Sequence, residues 1–307
     1  MLNRLLVLLI LGGLLPLGAR LWWVLDLFTH FRLQFLALAL LVLGFGIARR
    51  RYRLSALLGA VICLNAWPLL PYLPRSASGD GATNDGAPLV VLSINVEARN
   101  PDYDSVIARI RESNAELVAL IELSPGLSDR LSEVADLYPY RFTQPANNNF
   151  GIAVLSRYPL EAPELFPLGP SQAIETAVGT PGGKLTLMAV HPFPPINARM
   201  ARARDSALDE LAARIRDTEG PVLVCGDFNL TPYSPVFARF EKSSELKNVR
   251  RGLGLGFSWP SNLPLLGIPI DHCFTRAPLA PERIERMDQT GSDHYPVRVT
   301  LRWQEMP

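Results

Sequence analysis

The sequence predicts an α+β protein, in which a strand-rich domain with helices on its outside follows an apolar helical region. Three observations carry this reading. Residues 1–74 are dominated by Leu, Ala, Val and Gly, gathered into three apolar runs. Beyond residue 88, short apolar runs bounded by turn residues outnumber segments with helical spacing. Several of those helical segments fall between pairs of strands, which favours packed sheets with helices outside.

The N-terminal region comes first. MLNRLLVLLILGGLLPLGARLWWVLDLF, with Arg4 near its start, has the form of a signal peptide, but two more apolar runs follow, LQFLALALLVLGFGIA (33–48) and LSALLGAVICLNAWPLLPYL (54–73). A spanning helix needs ~20 apolar residues. About three transmembrane spans are therefore expected, near 5–25, 33–48 and 54–73, with two spans and a re-entrant middle piece as the alternative. Trp22, Trp23, Trp67 and Tyr72 lie near run ends, where amphipathic rings favour a membrane interface, and His30 is read as interfacial too. RRRYR (49–53) puts four positive charges between the second and third runs. The positive-inside rule then places that loop in the cytoplasm and everything after Tyr72 on the extracytoplasmic side of a bacterial-type inner membrane.

Charge divides the chain. Residues 1–79 hold eight Arg and one acid, a balance of +7, whereas 80–307 hold 22 basic and 28 acidic residues, a balance of −6. That excludes bulk polyanion binding for the larger part, because such binding sets many Lys and Arg on phosphates. Residues 75–88, rich in Gly, Ser, Asn and Asp, read as a flexible linker to a domain over 89–304. Cys63 lies in an apolar run, and Cys225 and Cys273 in strand-like runs where a buried free thiol is the default; spacing does not decide whether they pair.

Within the domain, PLVVLSINV (88–96), AELVALIEL (115–123), FGIAVLS (150–156), KLTLMAVHP (184–192), PVLVCGDF (221–228), IPIDHCFT (268–275) and YPVRVTLRW (295–303) read as strands. DYDSVIARIRES (102–113), SPGLSDRLSEVADL (124–137) and NARMARARDSALDELAARIRD (197–217) read as helices. Polar residues collect where the strands end: Asn95, Glu122, His191, Asp227 with Asn229, Asp271 with His272, and Ser292, Asp293 and His294. Each alone is an ordinary turn residue. Together they form the inventory of metal-assisted hydrolysis, with hard oxygen ligands for Mg²⁺ or Mn²⁺, a base for water and donors for phosphoryl oxygens.

In this order Asn95, Glu122, FGIAVLSRYPL, His191, GDFN (226–229), IDH (270–272) and GSDHYP (291–296) resemble the endonuclease/exonuclease/phosphatase superfamily, over about 89–304. The apolar N-terminus and FSWPSNLPLLGIPIDH resemble a bacterial membrane-attached branch of it. The resemblance implies a four-layer α/β/β/α sandwich with its active site at one edge of the two sheets. It implies Glu122 as the principal ligand of Mg²⁺ or Mn²⁺, with Asn95 and Asp293 assisting. Asp227 would orient or deprotonate the attacking water and Asn229 hold a phosphate oxygen. His294, its imidazole oriented by Asp271, would stabilise or protonate the transition state, and His191 would stand on the leaving-group side.

Secondary candidates are Glu175, as a partner for His191, and Asn149, ahead of a strand. Arg199, Arg202 and Arg204 spread over more than one helix face and read as solvated surface. The expected function is a membrane-anchored, divalent-metal-dependent phosphohydrolase, a phosphodiesterase acting on nucleic acid, lipid headgroup or small phosphoester. A catalytically silent, membrane-tethered scaffold keeping the fold is the alternative. The expected partners are the bilayer and a phosphoester substrate, with no obligate protein partner evident.

Overall fold

The computed structural model describes residues 1–75 and 88–304. The stretch expected as a linker falls almost wholly outside the described residues.

Four helices open the chain: α1 (Leu2–Leu14), α2 (Trp23–His30), α3 (Arg32–Ala48) and α4 (Tyr52–Ala66), the last continuing as a 3-10 turn to Tyr72. Leu6, Ala39, Val42 and Leu58 interlock between α1, α3 and α4. The outward side chains, among them Leu8, Leu11, Leu41, Phe45 and Leu57, are apolar and exposed. Of the three expected spans, Tyr52–Tyr72 is long and apolar enough to cross a membrane by length and composition, while α3 is shorter, with 17 residues. The first run is not one continuous helix: Leu2–Gly18 and Trp23–His30 meet at 117°. Pro16, without a backbone donor, opens the 3-10 turn that ends α1.

The remaining described residues build two sheets. In chain order the strands are β1 (Pro88–Asn95), β2 (Leu117–Ile121), β3 (Tyr140–Gln144), β4 (Ile152–Ser156), β5 (Leu160–Leu168), β6 (Ser171–Thr180), β7 (Gly183–Val190), β8 (Val222–Asp227), β9 (Lys247–Asn248), β10 (Asp271–Thr275), β11 (Leu279–Arg286) and β12 (Val297–Trp303). One sheet runs β11-β12-β1-β2-β4-β3, the other β5-β6-β7-β8-β10-β9. Their facing sides share a core that includes Val91, Ala119, Val154, Leu187, Leu223 and Val299. Burying each such side chain contributes roughly 1.5–3 kcal/mol.

Helices cover the outer faces. α5 (Tyr103–Glu112) and α6 (Pro125–Arg130) set Val106, Ile110 and Leu127 on the first sheet. α7 (Ala198–Asp217) and α8 (Pro235–Ser244) set Leu208, Leu211 and Phe237 on the second. Their starts follow from side-chain caps: Asp102 accepts from Ser105 N, Asn197 from Met200 N and Ser234 from Val236 N. The result is an α+β sandwich of layers α/β/β/α.

The buried free thiols expected at 225 and 273 are instead joined as a disulfide, Cys225–Cys273. The cause is register: β10 runs antiparallel to β8 with Cys273 opposite Cys225, their Cα atoms 4.2 Å apart. A facing antiparallel pair brings two side chains within bonding reach.

The N-terminal helices dock directly on the sandwich. His30 Nδ1 meets Thr231 Oγ1 at 2.8 Å, Asp26 Oδ2 meets Arg204 Nη2 at 3.4 Å, and Gln34 Nε2 donates to the Gly267 carbonyl at 2.9 Å. Two sequence expectations change here. His30 is buried against the domain rather than interfacial, and Arg204 is 1% exposed rather than solvated. Arg199 and Arg202 are exposed.

Candidate active site

Topology brings the polar strand ends to one edge. β1 and β2 are parallel, as are β7 and β8, so Asn95, Glu122, His191 and Asp227 all lie at C-terminal ends. β10 runs antiparallel to β8 and begins at that edge, placing Asp271 opposite Asp227. β12 runs antiparallel to β1, so the loop carrying Ser292, Asp293 and His294 arrives at the same place. The site is thus divided between the two sheets.

Local backbone aims the groups. Glu122 sits at φ +63° and Asn229 at φ +51°. Left-handed backbone is uncommon for a Glu and persists where its surroundings fix it. At Gly226 (φ +154°) a Cβ would lie 1.9 Å from the Val190 carbonyl oxygen of β7, so only glycine can precede Asp227. Asp227 Oδ1 then accepts the Asn229 N–H at 2.8 Å and tightens the turn.

The side chains converge on Asn95. Its Nδ2 lies 3.1 Å from Glu122 Oε1, 3.1 Å from Asp227 Oδ2 and 3.4 Å from His294 Nε2. Its Oδ1 accepts the Glu97 N–H at 3.0 Å, so in this orientation Asn95 holds the carboxylates in place. Glu122 Oε2 also accepts from Ala98 N at 3.2 Å. His191 Nε2 stands 3.6 Å from Asp227 Oδ2 and 4.0 Å from Glu122 Oε1. His294 Nδ1 meets Asp271 Oδ2 at 2.8 Å, leaving Nε2 facing Asp227 Oδ2 at 3.7 Å. Asp293, more open, accepts from Trp259 Nε1 at 2.8 Å.

Burial and charge set the protonation states. Burial opposes charge on His294, but the Asp271 carboxylate bonded to it overrides that and carries its pKa up to about 10. His191, buried and facing that imidazolium, is pushed down to about 4 and stays neutral. Burial first, and then Asp271, raise Asp227 to about 7. Burial also raises Glu122. The edge therefore holds one imidazolium, one neutral imidazole and a carboxyl poised near neutrality.

Two donor sets are within reach of a cation. Ligand atoms of Asp227, Asp271 and His294 lie within 4.8 Å of one another. In that set His294 is already committed to Asp271, and a charged imidazole has no lone pair to offer. Glu122 fits better, since its carboxylate is 7% exposed and its direct partners, Asn95 Nδ2 and Ala98 N, are both neutral. Hard divalent cations take such oxygens, and Asp293, whose side chain is 40% exposed, is a further carboxylate lining the same cavity.

The structure does not bring every candidate here. Glu175 lies on β6 and bonds to Arg214 Nε of α7, so the expected pairing with His191 does not form. His191 has Asp227 and Glu122 beside it instead. Asn229 faces the cavity but its Nδ2 donates to the Pro192 carbonyl at 3.1 Å. Asn149 lines the cavity. His272 points away from Asp271, to Asn248 Nδ2 at 3.1 Å and the Leu230 carbonyl at 2.9 Å. Sequence reasoning gave no role to Trp259, which donates to Asp293, to Ser292, named at its strand end, whose Oγ donates to the Asn95 carbonyl, or to Phe150, whose ring lies against His191. Phe150 lies inside FGIAVLSRYPL and Trp259 inside FSWPSNLPLLGIPIDH, which was the available signal.

The site opens into a cavity of about 810 Å³, whose far wall is Trp23, Leu27 and Phe31 of the N-terminal region. Paired carboxylates and histidines at one edge of an α/β/β/α sandwich define a class, the metal-using phosphoester hydrolases. The chain belongs to the Endonuclease/Exonuclease/phosphatase family, whose model matches residues 92–294. Members are phosphoester hydrolases that use divalent metal ions. D. rerio TDP2 complexed with single-strand DNA product shares the fold at TM-score 0.60 and 18% identity, covering 70% of this chain and 99% of that one. An endonuclease/exonuclease/phosphatase from Beutenbergia cavernae superposes at TM-score 0.59 with 20% identity, over 71% of this chain and 72% of its own. Beta toxin of Staphylococcus aureus gives TM-score 0.54 and 17% identity, over 71% and 100%. No curated protein matches the sequence.

Proposed function

We propose that this protein is a membrane-anchored, divalent-metal-dependent phosphodiesterase with its sandwich on the extracytoplasmic side. The observation that carries the chemistry is the meeting of Glu122, Asp227, His191 and the His294–Asp271 pair at one buried edge. Mg²⁺ or Mn²⁺, held by Glu122 with Asp293 and steadied by Asn95, would supply charge neutralisation at the phosphoryl oxygens. Asp227 holds the attacking water and takes one of its protons as the water oxygen bonds to phosphorus. The ester P–O bond breaks, and His294, charged and held by Asp271, gives its Nε2 proton to the leaving oxygen. Exchange with solvent water then takes the proton from Asp227 and returns one to His294, restoring both groups. Neutral His191 offers a hydrogen bond on the same side, and Asn229, one of whose amide N–H groups goes to the Pro192 carbonyl, has its second N–H for a phosphoryl oxygen.

Two observations support the location. Arg49, Arg50, Arg51 and Arg53 stand at the start of the Tyr52–Tyr72 helix, and the sandwich packs at its other end, with Gly252 N donating to the Pro71 carbonyl at 2.9 Å. Positive-inside charge then puts the sandwich outside. The Cys225–Cys273 disulfide suits an oxidising compartment. The test uses the full chain in nanodiscs with bis(p-nitrophenyl) phosphate. Turnover that needs Mg²⁺ or Mn²⁺ and stops with EDTA is expected. Lack of turnover with either metal, on this diester and on DNA, RNA and phospholipid, would favour the silent scaffold.

A further inference from the structure

The cavity that begins at the acidic edge does not end in solvent on all sides. Its opposite wall is α2 and the residue after it, with Trp23, Leu27 and Phe31 facing Ile196 and Met200 across the space. Among the described residues, no Lys or Arg lines it. That composition is wrong for a polyanion, whose binding depends on cationic contacts to successive phosphates. Its volume, about 810 Å³, suits a small or medium ligand rather than a duplex.

The wall is built in. α2 is fixed on the domain by two buried polar contacts, His30 to Thr231 and Asp26 to Arg204. In the first turn of α3, Gln34 bonds the Gly267 carbonyl. The rim carries a second, independent sign. Among the described residues of the sandwich, the exposed large apolar side chains are Tyr140, Ile196, Leu263, Leu265 and Leu266. Ile196 lines the cavity, and Leu263, Leu265 and Leu266 lie on the segment that leads into Gly267, held by Gln34, and Ile268, which also lines it. Ile196 is 71% and Leu265 92% exposed, side chains that would be buried by contact with an apolar phase.

We propose that the substrate is an amphiphilic phosphodiester, taken from the bilayer that holds the N-terminal helices. Its phosphate sits at Glu122, Asp227 and His294, and its hydrocarbon chain lies against Trp23, Leu27, Phe31, Ile196 and Met200. The proposal rests on the phosphodiesterase reading and deepens it. The chemistry is unchanged: water adds to phosphorus, one ester P–O bond breaks, and the leaving alcohol takes a proton.

The test varies chain length alone. Full-length protein in nanodiscs of fixed lipid composition is given Mg²⁺ or Mn²⁺ and p-nitrophenyl phosphodiesters whose second ester is methyl, octyl or dodecyl. The kcat/KM is expected to rise at least tenfold from methyl to dodecyl. In Ile196→Ser, whose exposed position carries no folding role, and in Leu27→Ser, that ratio should fall several-fold towards one. Equal rates for methyl and dodecyl would overturn the proposal while leaving the phosphodiesterase reading intact. So would an undiminished ratio in both variants, which would assign chain preference to partition into the nanodisc, or faster cleavage of a single-stranded oligonucleotide than of the dodecyl ester. Turnover of none of these would overturn both.

Discussion

The N-terminal helices and the sandwich are both rich in apolar residues, yet they dispose of them in opposite ways. Among the described residues, 22 large apolar side chains are exposed in 1–75 and five in 88–304. Buried polar groups differ as well. In the helices they make joints: Arg32 to Asn65 and Asn65 to the Gly13 carbonyl within the bundle, Asp26 and His30 across to the sandwich. At one edge of the sandwich several of them face one another and share partners. A buried polar group with a dedicated partner holds structure, and where several compete for one space they offer chemistry.

The largest effect expected from breaking this contrast is at the edge. Asp227→Asn or His294→Ala should lower metal-dependent turnover by ~10²–10⁴-fold, the range for lost acid–base groups; melting should change little in Asp227→Asn, whereas His294→Ala also leaves the buried Asp271 without its cation. Activity within threefold of the parent would show that these residues are joints after all. Next is Arg204→Met, which leaves Asp26 and Asp205 without their shared cation. Removing one partner of a buried pair costs about 3–5 kcal/mol, to be read as a loss in denaturant midpoint. An unchanged midpoint would mean that α2 docks by apolar contact alone.

A smaller effect should follow from acid. Burial first, and then Arg250, push the His272 pKa down to about 3. The unfolded chain binds that proton near pH 6.5 and the folded chain only near 3. Stability should therefore be intact above pH 6.5 and fall as pH drops below it, by roughly 3 kcal/mol at pH 4 from this group. His272→Gln should melt with a flatter pH profile between 6 and 4. A profile as steep as the parent's would assign the acid sensitivity to other groups. The smallest change belongs to the surface: Arg283, paired with Glu285 but 68% exposed, should cost under ~1 kcal/mol as Ala by the same melt.

Much of the sandwich was legible because its strands are short apolar runs that stop at Asn95, Glu122, His191 and Asp227, where parallel pairing makes the stops coincide. The edge strands β3, β5 and β11 were not, since their half-exposed patterns mix Pro, Glu and Arg and carry no clean alternation. Arg204 looked like surface because its partner Asp26 lies 178 residues away, beyond any local pattern. Glu175 looked catalytic for the converse reason, as its local context hid Arg214. The wall of the cavity was illegible for a third reason. Residues 5–25 read as a single hydrophobic run, and only the 117° turn after Gly18 separates a lengthwise helix from one lying across the domain.

That docking also determines how freely the protein can be taken apart. Cutting the chain between the helices and β1 would leave Thr231 and Arg204 facing water and remove one side of the cleft. The helices are thus not an exchangeable tether. A chimera with these helices exchanged should keep the polar edge and lose the wall formed by Trp23, Leu27 and Phe31. Variation in this lineage should therefore join the two parts as a unit, with exchanges at Trp23, Leu27 or Phe31 answered across the gap at Ile196 and Met200.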